Sequence, residues 1–196
     1  IDGGLPGVVS GLAWTPAGGE VMVVEATSMR GKGLQLTGQL GDVMKESARI
    51  ALSYVQAHAD QWGIDESRFD EEALHIHLPA GAVPKDGPSA GVALALSLLS
   101  LMSARPVRPD LALTGELTLR GRVLPVGGIE QKVLAARRAG KKMVILPRRN
   151  ERDLDQLATE VREALSFVFV DRFEDVVELA LEAAPARNLA KPRDVA

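Results

Sequence analysis

The sequence predicts a single α/β domain, and length, composition and alternating patterns support this. The chain has 196 residues, of which 46% are hydrophobic and 25% charged. At roughly 150 residues per domain, this length corresponds to one domain, which buries about 70% of its unfolded surface. Segments with the two-residue repeat of strands and segments with the spacing of helices follow one another along the chain. We therefore expect helices packed on a sheet.

Composition excludes several kinds of function. The absence of cysteine excludes disulfides, zinc–thiolate sites, iron–sulfur clusters and thiol catalysis. A net charge of −3 argues against a whole-chain electrostatic contact with nucleic acid or an anionic membrane. Aromatic residues make up only 4% of the chain, too few for stacking on single-stranded nucleic acid. Apolar runs stay shorter than the ~20 residues that span a bilayer.

The first elements are three predicted strands. Residues 7–15 and 19–28 alternate as strands do, and Gly18 with Gly19 marks the turn between them. Residues 32–38 form a third short strand. The chain opens with neither an initiator Met nor a basic leader, so we expect it to be a piece of a longer polypeptide.

A helix and a strand are predicted next. Apolar residues recur at three- and four-residue spacing from 43 to 62, with Asp42 as the expected N-cap and Gly63 just past the C-terminus. Residues 73–78 then alternate cleanly, with their three apolar side chains on one face and both histidines on the other.

A Pro/Gly-rich loop precedes a buried helix. The loop covers residues 79–87, and Pro88 opens the helix, as proline often does in a first turn. Residues 89–102 are apolar nearly all round, which is typical of a helix enclosed by other elements.

The second half of the chain continues the alternation and ends in a βαβα arrangement. Strands are predicted at 110–115, 119–126, 143–146 and 167–170, and helices at 128–138, 151–164 and 173–183. We expect the domain to cover residues 1–184 and the Pro-, Arg- and Lys-containing residues 185–196 to form a flexible tail.

Ser89 is the first candidate for chemistry. It follows a Gly/Pro turn and begins the predicted buried helix. Free amides at a helix N-terminus favour negative charge, so a serine there is suited to attack a carbonyl whose oxyanion those amides stabilise. Serine is also a common helix cap, and position alone favours capping. The residues leave both interpretations open.

Residues 87–91, GPSAG, also match the G-x-S-x-G nucleophile elbow. An α/β-hydrolase needs its histidine after that serine. All three histidines, at positions 58, 75 and 77, come before it, which excludes that class. His77 is a weaker candidate base, and a hydrogen-bonded strand residue is the preferred interpretation. His75 and His77 together supply only two metal ligands, which do not make a site.

Lys132 is the better candidate for a base. On a helical wheel it lies beside the apolar stripe of Ile129, Val133 and Ala136, and the other charged residues fall elsewhere. Burial disfavours the charged amine, and lowering its pKa from about 10.4 to near 7 takes roughly 4 kcal/mol. A neutral amine is a base for a serine hydroxyl. The alternative, a buried stem with a solvated head, is commoner and stays open.

Thr114 and the Pro/Gly-rich loop before the buried helix are the remaining candidates for a functional role. The Thr114 hydroxyl is placed to relay or orient a Lys–Ser hydrogen bond, although a plain turn residue fits equally well. A loop that opens a buried helix also holds phosphate in some small-molecule kinases, which gives a second hypothesis. Against it, Pro84 and Pro88 remove two amide donors from the loop.

These residues carry a resemblance to a known family. Residues 84–91 read PKDGPSAG and residues 114–132 read TGELTLRGRVLPVGGIEQK. Both blocks are similar to the signatures of the proteolytic domain of Lon, the ATP-dependent protease, in its A-type. The 43 residues from Ser89 to Lys132 also fit that family's dyad spacing.

The resemblance implies roles for individual residues. Ser89 is the implied nucleophile and Lys132 the implied general base, with Thr114 as a supporting hydroxyl. In the family, the segment that contains Asp86 changes between an open form and a form that blocks the site. The implied fold is the compact α/β Lon proteolytic fold, with mixed sheets and packed helices, and the implied activity is endopeptidase cleavage of unfolded or misfolded proteins.

The resemblance also implies partners. It implies polypeptide substrates, a hexameric homo-oligomeric ring and an AAA+ ATPase module upstream in the same polypeptide. No G-x-x-x-x-G-K-[ST] loop occurs here, so we expect ATP and Mg²⁺ to bind the missing module and this chain to hold no cofactor or metal. We expect no membrane or nucleic-acid partner, a cytoplasmic location in bacteria, or the mitochondrial matrix. An inactive ring-forming domain is the third hypothesis.

Overall fold

The computed structural model describes residues 4–79 and 84–183. Their strands are β1 (Val8–Thr15), β2 (Gly18–Arg30), β3 (Leu34–Thr37), β4 (Glu72–His77), β5 (Leu111–Leu113), β6 (Glu116–Leu117), β7 (Val123–Leu124), β8 (Met143–Pro147) and β9 (Ser166–Val170). Their α-helices are α1 (Asp42–Ala57), α2 (Arg68–Glu71), α3 (Gly91–Ser103), α4 (Ile129–Arg138), α5 (Thr159–Ala164) and α6 (Phe173–Ala180). Two 3₁₀ helices cover Ala59–Trp62 and Arg148–Gln156.

One seven-stranded sheet organises the domain. Its strand order is β3-β4-β2-β1-β5-β8-β9, and β6 with β7 forms a separate small hairpin. The pairs among β1, β2 and β4 are antiparallel, whereas β1, β5, β8 and β9 run parallel. The sheet is therefore mixed, and the prediction of one compact α/β domain with packed helices is confirmed.

Two apolar clusters lie on the two faces of this sheet. Successive residues of β5 alternate between them, since Leu111 and Leu113 join the larger cluster and Ala112 the smaller. The larger cluster contains α1 and α3, and the smaller contains α4 and α5. Helix α3 is buried along nearly its whole length, as predicted. Truncating one of its leucines to alanine should cost about 2–5 kcal/mol of stability.

Two predicted elements in the second half of the chain were wrong, and the helix predicted over 43–62 is divided at His58 into α1 and a 3₁₀ helix. The strand expected at 119–126 is only Val123–Leu124, because the hydroxyl of Thr118 accepts hydrogen bonds from the amides of Arg120 and Arg122 and closes a turn. The helix expected at 151–164 is divided at Leu157, whose backbone is extended. The apolar residues three and four positions apart, Leu154, Leu157 and Val161, are all buried, although Leu157 lies between the two short helices.

Helix boundaries also differ from the prediction. Gly41, and not Asp42, is the N-cap of α1, and no side chain of its own segment caps it. Helix α3 begins at Gly91, two residues after Ser89. Within the described residues, no helix is both long and apolar enough to cross a bilayer. The loop residues 80–83 and the tail expected at 185–196 lie outside the described part.

Candidate active site

The Ser89 backbone is fixed in the turn that precedes α3. Its carbonyl accepts hydrogen bonds from the amide of Gly115 at 3.0 Å and from the hydroxyl of Thr114 at 3.2 Å. The side chain is half-buried. No side chain caps α3, so Ser89 is not the helix cap that its position suggested. Its hydroxyl is left available for chemistry.

Lys132 projects from α4 into the protein interior. The residue is 2% exposed, which excludes the solvated-head alternative. Its Nζ donates a hydrogen bond to Thr114 Oγ1 at 3.1 Å. Burial alone lowers the pKa of Lys132 from its ordinary value to about 8. At pH 7 roughly one amine in ten is then neutral, and the neutral amine is a base.

Thr114 connects these two residues. It follows the end of β5, and its own hydroxyl accepts from Lys132 Nζ and donates to the carbonyl oxygen of Ser89. The structure describes both Ser89 and Lys132, and it shows no direct hydrogen bond between Nζ and the serine hydroxyl. The sequence-predicted trio is thus joined through the threonine, with the lysine and the serine each one hydrogen bond from it.

Asp86 binds the start of a distant helix. Its Oδ1 accepts hydrogen bonds from the amides of Met44 at 3.0 Å and Gly87 at 2.8 Å. The Met44 amide, followed by the Gly87 amide, holds the pKa of this carboxyl below its usual range. Asp86 therefore supplies the cap that α1 lacks in its own segment. A side chain at Gly41 would overlap the Asp86 carboxyl group, so glycine allows this approach.

A cleft of about 240 Å³ opens beside the serine. Ser89 and Asp86 lie on its loop side, Met44 comes from α1, and the β1–β2 hairpin contributes Glu20 and Met22. Lys132 and Thr114 do not line it, because both are buried behind it. The cleft thus gives an extended molecule access to Ser89, while the Lys132 amine is shielded from solvent.

The β1–β2 hairpin also packs tightly on α4. A Cβ added at Gly19 would overlap the backbone carbonyl of Gln131, immediately before Lys132. Trp14 covers Gly128 at the start of α4, so closely that a Cβ there would lie 2.8 Å from the indole. Arg138 at the other end of α4 donates to the Gly19 carbonyl at 2.8 Å. The hairpin therefore fixes the turn of helix that carries the lysine.

The histidines lie elsewhere. Thr37 Oγ1 is 2.8 Å from Nε2 of His75 and 2.7 Å from Nδ1 of His77. Neither histidine lines the cleft beside Ser89. Among residues 4–79 and 84–183, no three His, Asp or Glu side chains are grouped to hold a metal ion. The preferred interpretation of His77, a hydrogen-bonded strand residue, agrees with this arrangement.

Sequence reasoning missed Glu20, Trp14 and Gly41. Trp14 and Gly41 contact segments far apart in the chain, and Glu20 lines a cleft formed by several such segments, so none of the three leaves a periodic signal. The Gly18-Gly19 pair was interpreted only as a turn, although Gly19 is also the place where the hairpin backbone meets α4.

The comparisons with known proteins all lead to one family of proteases. A family model described as the Lon protease (S16) C-terminal proteolytic domain matches residues 3–183. The Lon protease of Desulfosudis oleivorans is 58% identical over 187 residues, which is 95% of this chain and 23% of that protein. Lon protease 4 of Sorangium cellulosum is 58% identical over 180 residues, 91% of this chain and 22% of that protein. The Lon protease of Aquifex aeolicus is 56% identical over 183 residues, 92% of this chain and 23% of that protein. The chain spans less than a quarter of these curated relatives.

Proposed function

The chain belongs to the Lon protease (S16) C-terminal proteolytic domain family, the proteolytic domain of a serine protease, and from this premise we propose that Ser89 and Lys132 form its catalytic dyad. The observation that supports the dyad best is the burial of Lys132, which lowers its pKa to about 8 beside a threonine that also contacts Ser89. Serine needs such a neutral base, and no histidine reaches the cleft.

The proposed reaction has two halves. Ser89 Oγ bonds to the peptide carbonyl carbon while its proton passes to neutral Lys132 Nζ. The tetrahedral intermediate then breaks its C–N bond, and Nζ returns the proton to the departing amine. Water cleaves the resulting ester, with Nζ again taking and giving the proton. This step requires Ser89 Oγ to come within hydrogen-bond distance of Nζ, which donates to Thr114 Oγ1.

Backbone amides are proposed to stabilise the oxyanion. We place these donors among the amides near residues 86–89, and two of the four positions are unsuited to the purpose. The Gly87 amide donates to the Asp86 carboxylate, and Pro88 has no N–H. In the described part of the loop, this leaves the amides of Asp86 and Ser89 as donors.

The longer protein supplies the rest of the proposal. We assign ATP and Mg²⁺ binding to an AAA+ module outside this chain, since the relatives are about four times longer. Unfolded polypeptides are the proposed substrates, a hexameric ring the proposed assembly and the bacterial cytoplasm the proposed location. The family assignment leaves no support for the kinase-like alternative.

Hydrolysis of a fluorogenic peptide by single-residue variants tests the dyad. Ser89→Ala and Lys132→Met should each lower kcat by about 10³-fold or more while the circular dichroism spectrum stays unchanged. A peptide boronate should bond to Ser89, as mass spectrometry of the adduct would show.

The matched control is Lys141→Met. Burial also lowers the pKa of Lys141, but its Nζ is bound by Ser10 and the Pro109 carbonyl, far along the sheet from the cleft. This variant should keep wild-type turnover. Wild-type turnover by folded Ser89→Ala would refute the dyad, and an unreactive wild type that takes up no boronate would favour the inactive ring-forming domain.

A further inference from the structure

The β1–β2 hairpin presents a carboxylate to the cleft that holds Ser89. Glu20 pairs with Ala13 across the hairpin, and directly opposite residues share a face of the sheet. Met22, two residues further along β2, lies on that same face. All three line the cleft. In the next pair, Gly19 meets the Gln131 backbone in α4, and Trp14 covers Gly128 while it also borders the cleft. Glu20 is therefore directed to the cleft by strand geometry.

Glu20 differs from the other carboxylate of the cleft. Asp86 is committed to the amides of Met44 and Gly87. In contrast, no ion pair or hydrogen bond to the Glu20 side chain occurs within residues 4–79 and 84–183. The four loop residues outside that range, Ala-Gly-Ala-Val, carry no charge that could neutralise it. The half-buried Glu20 carboxylate is thus available to a bound molecule.

The surroundings of Glu20 favour a long side chain with a cationic end. Met22 and Met44, both buried, provide an apolar wall for an aliphatic stem. Lys85 also lines the cleft, but its Nζ donates to the Gly38 carbonyl at 3.3 Å. An acidic side chain in this place would face both Glu20 and Asp86.

We propose that Glu20 is a specificity-determining residue that selects substrates with a lysine or arginine side chain near the scissile bond and disfavours acidic ones. This inference rests on the proposed peptidase function and adds a substrate preference to it. The ion pair is partly solvated, so the expected discrimination is modest, about two- to fivefold between a lysine and a glutamine peptide.

The test uses the 196-residue chain and a series of fluorogenic peptides. Within each set the peptides differ only by Lys, Gln or Glu at one position, and each set places that position at a different distance from the cleaved bond, on either side of it. At one position, wild-type kcat/KM should fall in the order Lys, Gln, Glu. Glu20→Gln should bring the three values together, and Glu20→Lys should reverse the order. Added salt should reduce the preference, since it screens exposed charges.

Glu25→Gln is the matched control. Glu25 lies on the same strand but on the opposite face, beside His77, so its loss should leave the preference intact. An unchanged Lys-to-Glu ratio in folded Glu20→Gln would overturn the proposal. The affinities of the same peptides for Ser89→Ala, measured by fluorescence anisotropy, should fall in the same order, so the dissociation constants should rise from Lys to Gln to Glu. A preference in binding without any hydrolysis by the wild type would refute the proposed peptidase activity and leave the role of Glu20 standing. The absence of a preference in both binding and hydrolysis would refute the role of Glu20.

Discussion

The lysine and the serine of the candidate dyad are held in opposite ways. Lys132 lies on the buried face of α4, which packs on the hairpin backbone at Gly19, and the residue is 2% exposed. Ser89 lies in a turn beside an open cleft, and the loop before it is attached to α1 by the polar contacts of Asp86. The base depends on close packing, and the nucleophile depends on a few hydrogen bonds.

This difference indicates which substitutions alter the pKa of the base and which alter the position of the nucleophile. The pKa of Lys132 is lowered by burial alone, so any variant that admits water to α4 changes the chemistry itself. Changes in the Ser89 loop move the nucleophile, and they leave the burial that lowers the pKa of Lys132 in place. Three experiments sharpen or break this comparison.

The largest effect is expected from Gly19→Ala. The added methyl group would overlap the Gln131 carbonyl and lie 3.0 Å from the Lys132 amide, so the helix turn that carries the base has to shift. Overpacking of this kind costs about 1–3 kcal/mol of stability. Displacement of the base should lower kcat by about 10²-fold. Denaturant unfolding and peptide hydrolysis measure the two effects.

Gly127→Ala is its control. Gly127 lies just before α4, and a methyl group there would have no neighbour within 4 Å. Near-wild-type stability and turnover are expected. If Gly19→Ala behaved like this control, the hairpin would not be what positions the base.

The second experiment is the pH dependence of kcat/KM. Since Lys132 accepts a proton only when neutral, and burial lowers its pKa to about 8, activity should rise about tenfold per pH unit below pH 8 and level off above it. Stopped-flow or plate-reader hydrolysis between pH 5.5 and about 9.5 records this curve. A profile that is flat across this range would contradict a buried lysine as the base.

The smallest effect is expected from Asp86→Asn, which keeps an acceptor for the Met44 amide but removes the charge. The folded-state pKa of Asp86 is depressed, so its carboxylate stabilises the fold above its unfolded pKa of about 4, and this contribution is lost as pH falls through the lower folded value. The variant should melt slightly lower at pH 7 and resemble the wild type more closely in acid. Turnover should fall by less than about tenfold, since the base is unaffected.

Asp65→Asn provides the comparison for this variant. Asp65 also has a lowered pKa, from hydrogen bonds with Ser67, but it lies outside the cleft. Its loss should leave turnover at the wild-type level. Equal loss of activity in both variants would show that Asp86 acts only through general stability.

Elements with strong local patterns were predictable from the sequence. The apolar run of α3 and the alternation of β1, β2 and β4 specify their environments directly. The wheel position of Lys132 placed it beside the apolar stripe but left open whether its amine is buried or solvated. The turn at Thr118 and the break at Leu157 were missed because one side-chain hydrogen bond or one extended residue decides them. The Asp86 cap and the place of Glu20 depend on contacts between distant segments, which no local pattern encodes.

The hairpin packs on α4 with one face and presents the proposed specificity residue Glu20 on the other, and this restricts how its length can vary during evolution. Substitutions on the Trp14 and Gly19 side keep the strand register and therefore leave Ala13 and Glu20 on their own face. A single-residue insertion within β2, before Glu20, is different, since it would exchange the two faces of the strand and turn the Glu20 carboxylate towards α4. We therefore expect related chains to gain or lose residues within these two strands only in pairs.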